Sequence, residues 1–181
     1  MVSLRCITVV KDALKNLGFQ DIQVNLGHVS LKEEISNAQL SQIRSILLLS
    51  GFELLEDKKD ILLQQIKTHI IQLVYYSDEP LVQNLSVYLS DKLHHDYTYI
   101  SNLFSDRMEI TIEKFVIRHK IERVKELLTY GELSLTDIAF KMHYSSVSHL
   151  SSQFKKVAGM TPSDFKQRKG DKRDLLENLC K

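Results

Sequence analysis

Two groups of polar side chains in this 181-residue chain have the chemistry needed to contact nucleic acid. Members of the later group are hydrogen-bonding residues or lysines that alternate with apolar positions at helical spacing: Ser148, His149, Ser152, Gln153, Lys155 and Lys156. The earlier group consists of Thr98, Ser101 and Asn102, with Ser105 further along. Uncharged hydrogen-bonding side chains suit base edges in a DNA groove, where acidic residues would be repelled by phosphate. The two lysines are expected to reach the phosphates.

A repeat positions both groups, because the segment from Leu85 to Phe104 matches the segment from Leu135 to Phe154 at an offset of 50 residues. Five apolar positions coincide, pairing Leu85 with Leu135, Tyr88 with Ile138, Leu89 with Ala139, Ile100 with Leu150 and Phe104 with Phe154. Each copy predicts a helix of about ten residues, a short turn and a second helix.

Capping residues fix the ends of these predicted helices. In the second copy Ser134 and Asp137 form a capping box, Ser145 or Ser146 starts the second helix, and Gly159 ends it. The apolar stripes of this copy are Leu135, Ile138, Ala139 and Met142, followed by Val147, Leu150, Phe154 and Val157. In the first copy Asp96 is the expected cap, and the helix it starts should bury Ile100, Leu103 and Phe104.

The segment from Thr111 to Thr129 is the predicted spacer between the copies. Its apolar stripe is Ile117, Ile121, Val124 and Leu128. As a helix it would span roughly 28 Å at about 1.5 Å per residue, which suits two recognition helices held about one DNA turn, roughly 34 Å, apart. Each hairpin alone is better explained by helical packing with a solvated polar face. The repeat with its stiff spacer favours DNA binding.

The first 57 residues predict a different, small α+β module in the order helix, strand, strand, helix, strand, with the last strand at Phe52 to Leu55. This order resembles a ferredoxin-like, heavy-metal-associated module without its first strand, which leaves open whether the natural chain begins before Met1. That family carries Cys-x-x-Cys where this chain has Ser3 and Cys6, so a paired soft-metal site is not expected. A sensing or association role is expected instead.

Composition narrows the function classes further. The net charge is +1 overall, but −2 over residues 1 to 80 and +3 over the rest. Only two cysteines are present, and no signal peptide or membrane-spanning run is found, so a cytoplasmic location without membrane association is expected. No nucleophile–base, paired-carboxylate or phosphate-loop motif stands out, and the adjacent His94 and His95 fit a solvated turn better than a metal site. The chain is therefore expected to be no enzyme and to need no cofactor.

The C-terminal half, about residues 60 to 169, resembles the DNA-binding domain of the AraC/XylS family of transcription regulators. The segments that carry this resemblance are Tyr99 to Phe104, Lys120 to Leu128, Leu135 to Ala139 and Phe154 to Pro162. The resemblance implies seven helices forming two helix-turn-helix subdomains joined by a long helix, and entry into two successive segments of the major groove. By position it implies base-facing roles for Thr98, Ser101 and Asn102, and for Ser148, His149 and Ser152.

Two departures from the family pattern concern the backbone, since His143 and Glu109 stand where the family often has glycine. Both are expected to adopt a left-handed conformation. The expected function is sequence-specific binding of double-stranded DNA, with activation through RNA polymerase or repression equally compatible. The alternative is a metal- or small-molecule-sensing protein whose helical half binds another protein. Residues 170–181 are expected to be a charged tail, and the operator, effector and oligomeric state are left open.

Overall fold

The computed structural model describes residues 3–32, 34–77 and 83–167, and the predicted charged tail at 170–181 lies outside them. The fold is mainly helical with one small antiparallel sheet near the N-terminus, as predicted. The chain divides into two compact units, Met1–Thr68 and His69–Lys181, each of which is described by itself below.

The first unit opens with helix α1 (Leu4–Asn16), strand β1 (Ile22–Asn25), strand β2 (His28–Leu31) and helix α2 (Asn37–Leu49). The strands form a tight hairpin in which Val24 pairs with Val29. Gly27 in the turn has φ 74°, and a Cβ there would lie 3.0 Å from Thr68 Oγ1, so a larger residue would be both strained and crowded. The core of this unit consists of Val10, Leu14, Phe19, Ile22, Ile43 and Leu47.

The predicted strand at Phe52 to Leu55 is wrong. These residues form an irregular segment, and the described part of the unit pairs only β1 with β2. The cause is the end of α2, where Gly51 adopts φ 76° and the Phe52 N–H donates to the Leu47 carbonyl at 2.9 Å. The apolar character of this segment therefore reflects partial burial of its side chains and not strand pairing.

Helix α3 (Lys58–Ile71) contains the division between the units and continues into a π-helical turn, Gln72–Tyr76. Ile66, Ile70 and Val74, which follow one another at four-residue spacing, are buried. The second unit then contains α4 (Leu85–Leu93), α5 (Tyr97–Met108), α6 (Ile112–Tyr130), α7 (Leu135–Lys141), α8 (Val147–Ala158) and α9 (Pro162–Gln167).

Helix α6 is the predicted spacer, and its 19 residues correspond to about 28 Å. Ile121, Val124 and Leu128 are buried as predicted, but Ile117 is only half-buried. Ile112 and Phe115, outside the predicted stripe, are fully buried. Helix α6 packs on α5, α7, α8, α9 and the π-helical turn, so it buries more than one stripe of its side chains.

Two buried polar residues on α6 have no counterpart in the sequence predictions. His119 is fully buried between the rings of Phe115 and Tyr75, and this burial lowers its pKa to about 4, which keeps the imidazole neutral near pH 7. Glu122 is 5% exposed and accepts a hydrogen bond from Lys125 Nζ at 3.0 Å.

Candidate nucleic-acid interface

Helices α5 and α8 carry the predicted base-facing residues, and each is the second helix of a helix-turn-helix pair. In the first pair the Asp96 side chain accepts a hydrogen bond from the Thr98 N–H at 2.7 Å, and hydrogen bonding at Thr98 lowers the pKa of Asp96. Ile100 and Phe104 are fully buried and anchor one side of α5 to the domain. The cap and the anchors thus fix where α5 starts and which face it exposes.

The exposed face of α5 contains Thr98 and Asn102, whereas Ser101 is half-buried and its hydroxyl donates to the Thr98 carbonyl at 3.1 Å. Tyr99 is 44% exposed on the same helix and was not among the predicted site residues. The 50-residue offset would have found it, because Tyr99 matches His149. Thr98, Tyr99 and Asn102 are therefore exposed in the first turns of α5, and Ser101 is partly accessible beside them.

The second pair is held by the predicted capping box, in which the Ser134 hydroxyl accepts from the Asp137 N–H at 3.2 Å and the Asp137 carboxylate accepts from the Ser134 N–H at 3.1 Å. Ser146 caps α8 by accepting from the His149 N–H at 3.1 Å. Leu150 is fully buried on α8, as its place in the apolar stripe predicts.

The buried side of α8 ends earlier than predicted, since Val157, the last residue of the predicted stripe, is 41% exposed. Phe165 of α9 packs edge-on against Phe154, with ring centroids 5.7 Å apart, and closes the core one turn before Val157. Thr161 caps α9 by accepting a hydrogen bond from the Asp164 N–H at 3.2 Å and donating from its hydroxyl to the Asp164 carboxylate at 2.6 Å.

The outward face of α8 presents five of its six predicted residues to solvent: Ser148, His149, Ser152, Lys155 and Lys156. The sixth, Gln153, was predicted to face away from the core but is half-buried, because its Oε1 accepts a 2.6 Å hydrogen bond from the Tyr144 hydroxyl. The two lysines lie in the last turns of α8, where side chains four carbons long can reach beyond the helix surface.

Three non-glycine residues among those described have positive φ: His94 (55°) and His143 (56°) in the turns of the two pairs, and Glu109 (56°) at the end of α5. The expected left-handed conformations of Glu109 and His143 are confirmed, and His94 is an unpredicted third case. No group of three or more His, Cys, Asp or Glu residues that could hold a metal ion is found among the described residues. In the same residues no helix combines the length and apolarity needed to cross a bilayer.

Comparison with known proteins agrees with this geometry. Residues 89–168 match the family model of the helix-turn-helix domain. The chain is 26% identical over 112 residues to the HTH-type transcriptional regulator YtdP of Bacillus subtilis, and 27% identical over 112 residues to the HTH-type transcriptional regulator YdiP of Escherichia coli. These matches cover 62% and 61% of this chain but only 14% and 35% of the relatives, so the chain spans a small part of their length.

Two solved structures have a similar fold. The C-terminal domain of AraT, a response regulator from Geobacillus stearothermophilus, matches with a TM-score of 0.53 at 19% identity, covering 66% of this chain and 94% of that one. A DNA-binding transcriptional dual regulator from Escherichia coli K-12 matches with a TM-score of 0.52 at 16% identity, covering 65% and 97%. These likenesses show a shared fold, and the family model identifies residues 89–168 as a helix-turn-helix domain.

Proposed function

We propose that this chain, whose residues 89–168 match the helix-turn-helix domain family, is an AraC-type DNA-binding transcription regulator that inserts α5 and α8 into two successive segments of the major groove. The observation that carries the proposal is the double occurrence of one arrangement. Each helix is capped at its start, anchored by a buried aliphatic residue and a buried phenylalanine four positions later, and exposed on a face of uncharged hydrogen-bonding side chains.

The chemistry of the two faces supports base contact. Hydroxyl, amide and imidazole groups can donate to or accept from base edges in the major groove, and Lys155 and Lys156 supply positive charge for the phosphates. Helix α6 contributes a spacer of about 28 Å, close to the pitch of one DNA turn. Since the faces differ in sequence, the two bound DNA segments should differ as well, and the site should not be palindromic.

Hydroxyl-radical footprinting on a duplex selected from a random pool tests this function. One chain should protect two patches on the same side of the DNA, about 10 base pairs apart. A single patch, or a palindromic site occupied only by two chains, would mean that only one helix reads DNA. Reconstituted transcription with the site placed upstream of or across a promoter then separates activation through RNA polymerase from repression.

A second candidate function, small-molecule sensing, is favoured by a cavity of about 430 Å³ in the first unit. Its walls include the buried core residues Val10 and Leu47 and the half-buried Leu54 and Leu55. This volume lies within the usual range for small organic ligands. The described residues that line it include Glu53 but no lysine or arginine, so a neutral or cationic apolar molecule fits better than an anion.

Two fluorescent probes that share one aromatic skeleton test this candidate. The full chain should bind neutral N-phenyl-1-naphthylamine more tightly than 8-anilino-1-naphthalenesulfonate, which carries a negative charge. Leu55→Trp should fill the cavity and reduce binding, whereas Leu49→Trp, at an 89% exposed position outside the cavity lining, should not. Equal binding of both probes, or no response to Leu55→Trp, would remove the candidate.

A further inference from the structure

Tyr144 occupies the turn between α7 and α8 and connects the long helix α6 to the exposed face of α8. Lys120 Nζ of α6 lies 5.3 Å from the centre of the Tyr144 ring and donates to the Met142 carbonyl at 3.0 Å. The ring also meets His149 of α8 edge-on, with centroids 5.3 Å apart. The half-buried tyrosine thus contacts both α6 and α8.

The Tyr144 hydroxyl donates a hydrogen bond to the side-chain amide oxygen Oε1 of Gln153 at 2.6 Å. Burial raises the pKa of Tyr144 to about 12, so the phenol keeps its proton near pH 7 and can donate it. A separation of 2.6 Å is typical of an O–H···O bond and short for an N–H···O bond, which supports the amide orientation with Oε1 toward the tyrosine. Oε1 keeps a second lone pair and Nε2 keeps both of its hydrogens, so the amide can still contact DNA in the orientation that Tyr144 gives it.

We propose that Tyr144 is a positioning residue that fixes the orientation of the Gln153 amide, so that α8 discriminates between adenine and guanine at the base Gln153 faces. Adenine is read with both amide atoms, Oε1 accepting from N6 and Nε2 donating to N7. Guanine presents only acceptors, O6 and N7, at the same edge and is read by Nε2 alone. These two contacts need different orientations of the amide, so an amide fixed by Tyr144 suits one purine, whereas a free amide can turn to suit either. This inference rests on the proposed function of the domain.

The arrangement belongs to α8 alone. At the 50-residue offset Tyr144 corresponds to His94 and Gln153 corresponds to Leu103, which is 7% exposed and has no hydrogen-bonding side chain. Helix α5 cannot repeat the Tyr–Gln pair, so the preference should be confined to the DNA segment bound by α8.

Selection of bound duplexes from a random pool, with the full chain and three variants, tests the inference. Gln153→Leu locates the base pair, because preference should disappear at one position only. At that position Tyr144→Phe, which keeps the ring and removes the hydroxyl, should reduce the ratio of the preferred purine to the other purine about five- to tenfold, corresponding to roughly one hydrogen bond of discrimination. Tyr130→Phe is the matched control, because it removes a hydroxyl that donates to Glu126 on the same helix, α6.

The outcomes separate this inference from the proposed function. A loss of discrimination between adenine and guanine in Tyr144→Phe alone, with an unchanged thermal midpoint and unchanged affinity for nonspecific DNA, supports it. An unaltered base preference in Tyr144→Phe, or no position that responds to Gln153→Leu, overturns it while the function stands. If the wild-type chain selects no sequence at all, the proposed function fails and this inference fails with it.

Discussion

The two helix-turn-helix copies share a frame but differ in what they present on it. At an offset of 50 residues, Ile100 matches Leu150 and Phe104 matches Phe154, and all four are fully buried. The N-caps Asp96 and Ser146 also coincide. These positions determine where each second helix starts and which side faces the core.

Beyond this frame the copies diverge in charge. Lys155 and Lys156 follow the polar face of α8, whereas the matching positions on α5 are Ser105 and Asp106. Asp106 and both lysines are exposed. A carboxylate near a phosphate lowers affinity and a lysine raises it, so α8 should supply more of the salt-dependent binding energy and α5 less. The difference indicates that one frame supports two unequal contacts.

The largest expected effect tests whether the frame is equally important in both copies. Phe104→Ala and Phe154→Ala should each lower the free energy of unfolding by about 3 to 5 kcal/mol, because each leaves a cavity at a fully buried ring. Their aromatic partners differ, since Phe104 packs on Phe115 of α6 and Phe154 on Phe165 of α9. Urea denaturation measures both, with Phe140→Ala as the control because Phe140 is 85% exposed. A small effect in only one copy would show that the frames are not equivalent.

The next prediction compares the two exposed faces. Ser152→Glu should weaken specific DNA binding on the order of a hundredfold, since like charges brought together at an interface cost several kcal/mol. Asn102→Glu at the matching position of α5 should weaken it less, because that helix already carries Asp106 and is expected to contribute less. Gel-shift titration gives both affinities. Ser45→Glu, exposed on α2, serves as the charge control, and a larger loss for Asn102→Glu would reverse the ranking.

The charge difference itself predicts opposite salt responses. Lys156→Ala should weaken binding to all sequences alike and reduce the slope of log K against log salt by about one. Asp106→Lys should strengthen binding and increase that slope by about one, if the end of α5 lies near a phosphate as the end of α8 does. Affinities at four salt concentrations measure both slopes. A change in the preferred sequence for Lys156→Ala would instead assign this lysine to base contact.

The sequence predicted the features that depend on local pattern. The capping box at Ser134 and the end of α8 at Gly159 follow from capping residues, and the helix predicted over 111–129 follows from apolar spacing and is found at Ile112–Tyr130. The features that the sequence did not predict depend on tertiary contacts. The half-burial of Gln153 is one of them, because helical spacing says nothing about a hydroxyl reaching it from the preceding turn.

The same distinction explains the other errors. Val157 was assigned to the core because its spacing is right, but Phe165 of α9 closes the core before that position is reached. Phe52 lies in an apolar run, yet its N–H is used by the end of α2, and no strand forms. His94 shows a related limit, because its left-handed conformation depends on how α4 ends and not on its residue type.

The smallest expected effect concerns the ends of the two recognition helices, where Glu109 (φ 56°) matches Gly159 (φ 76°). The left-handed conformation costs a non-glycine residue about 1 to 2 kcal/mol. Replacing that residue by glycine removes this cost, but part of the gain is lost because glycine has greater freedom in the unfolded chain. Glu109→Gly should therefore stabilise the domain by up to about 1 kcal/mol, and Gly159→Ala should destabilise it by a similar amount. No atom lies within 4 Å of a Cβ built at Gly159, so the cost there would come from the backbone alone.

Thermal unfolding of both variants, with Glu132→Gly as the control, measures this difference. Glu132 is exposed and is not among the described residues with positive φ, so glycine there should bring no gain. If Glu109→Gly and Glu132→Gly changed the midpoint in the same direction, the gain would not come from the left-handed backbone at residue 109. The two helix ends would then differ in more than the residue that occupies them.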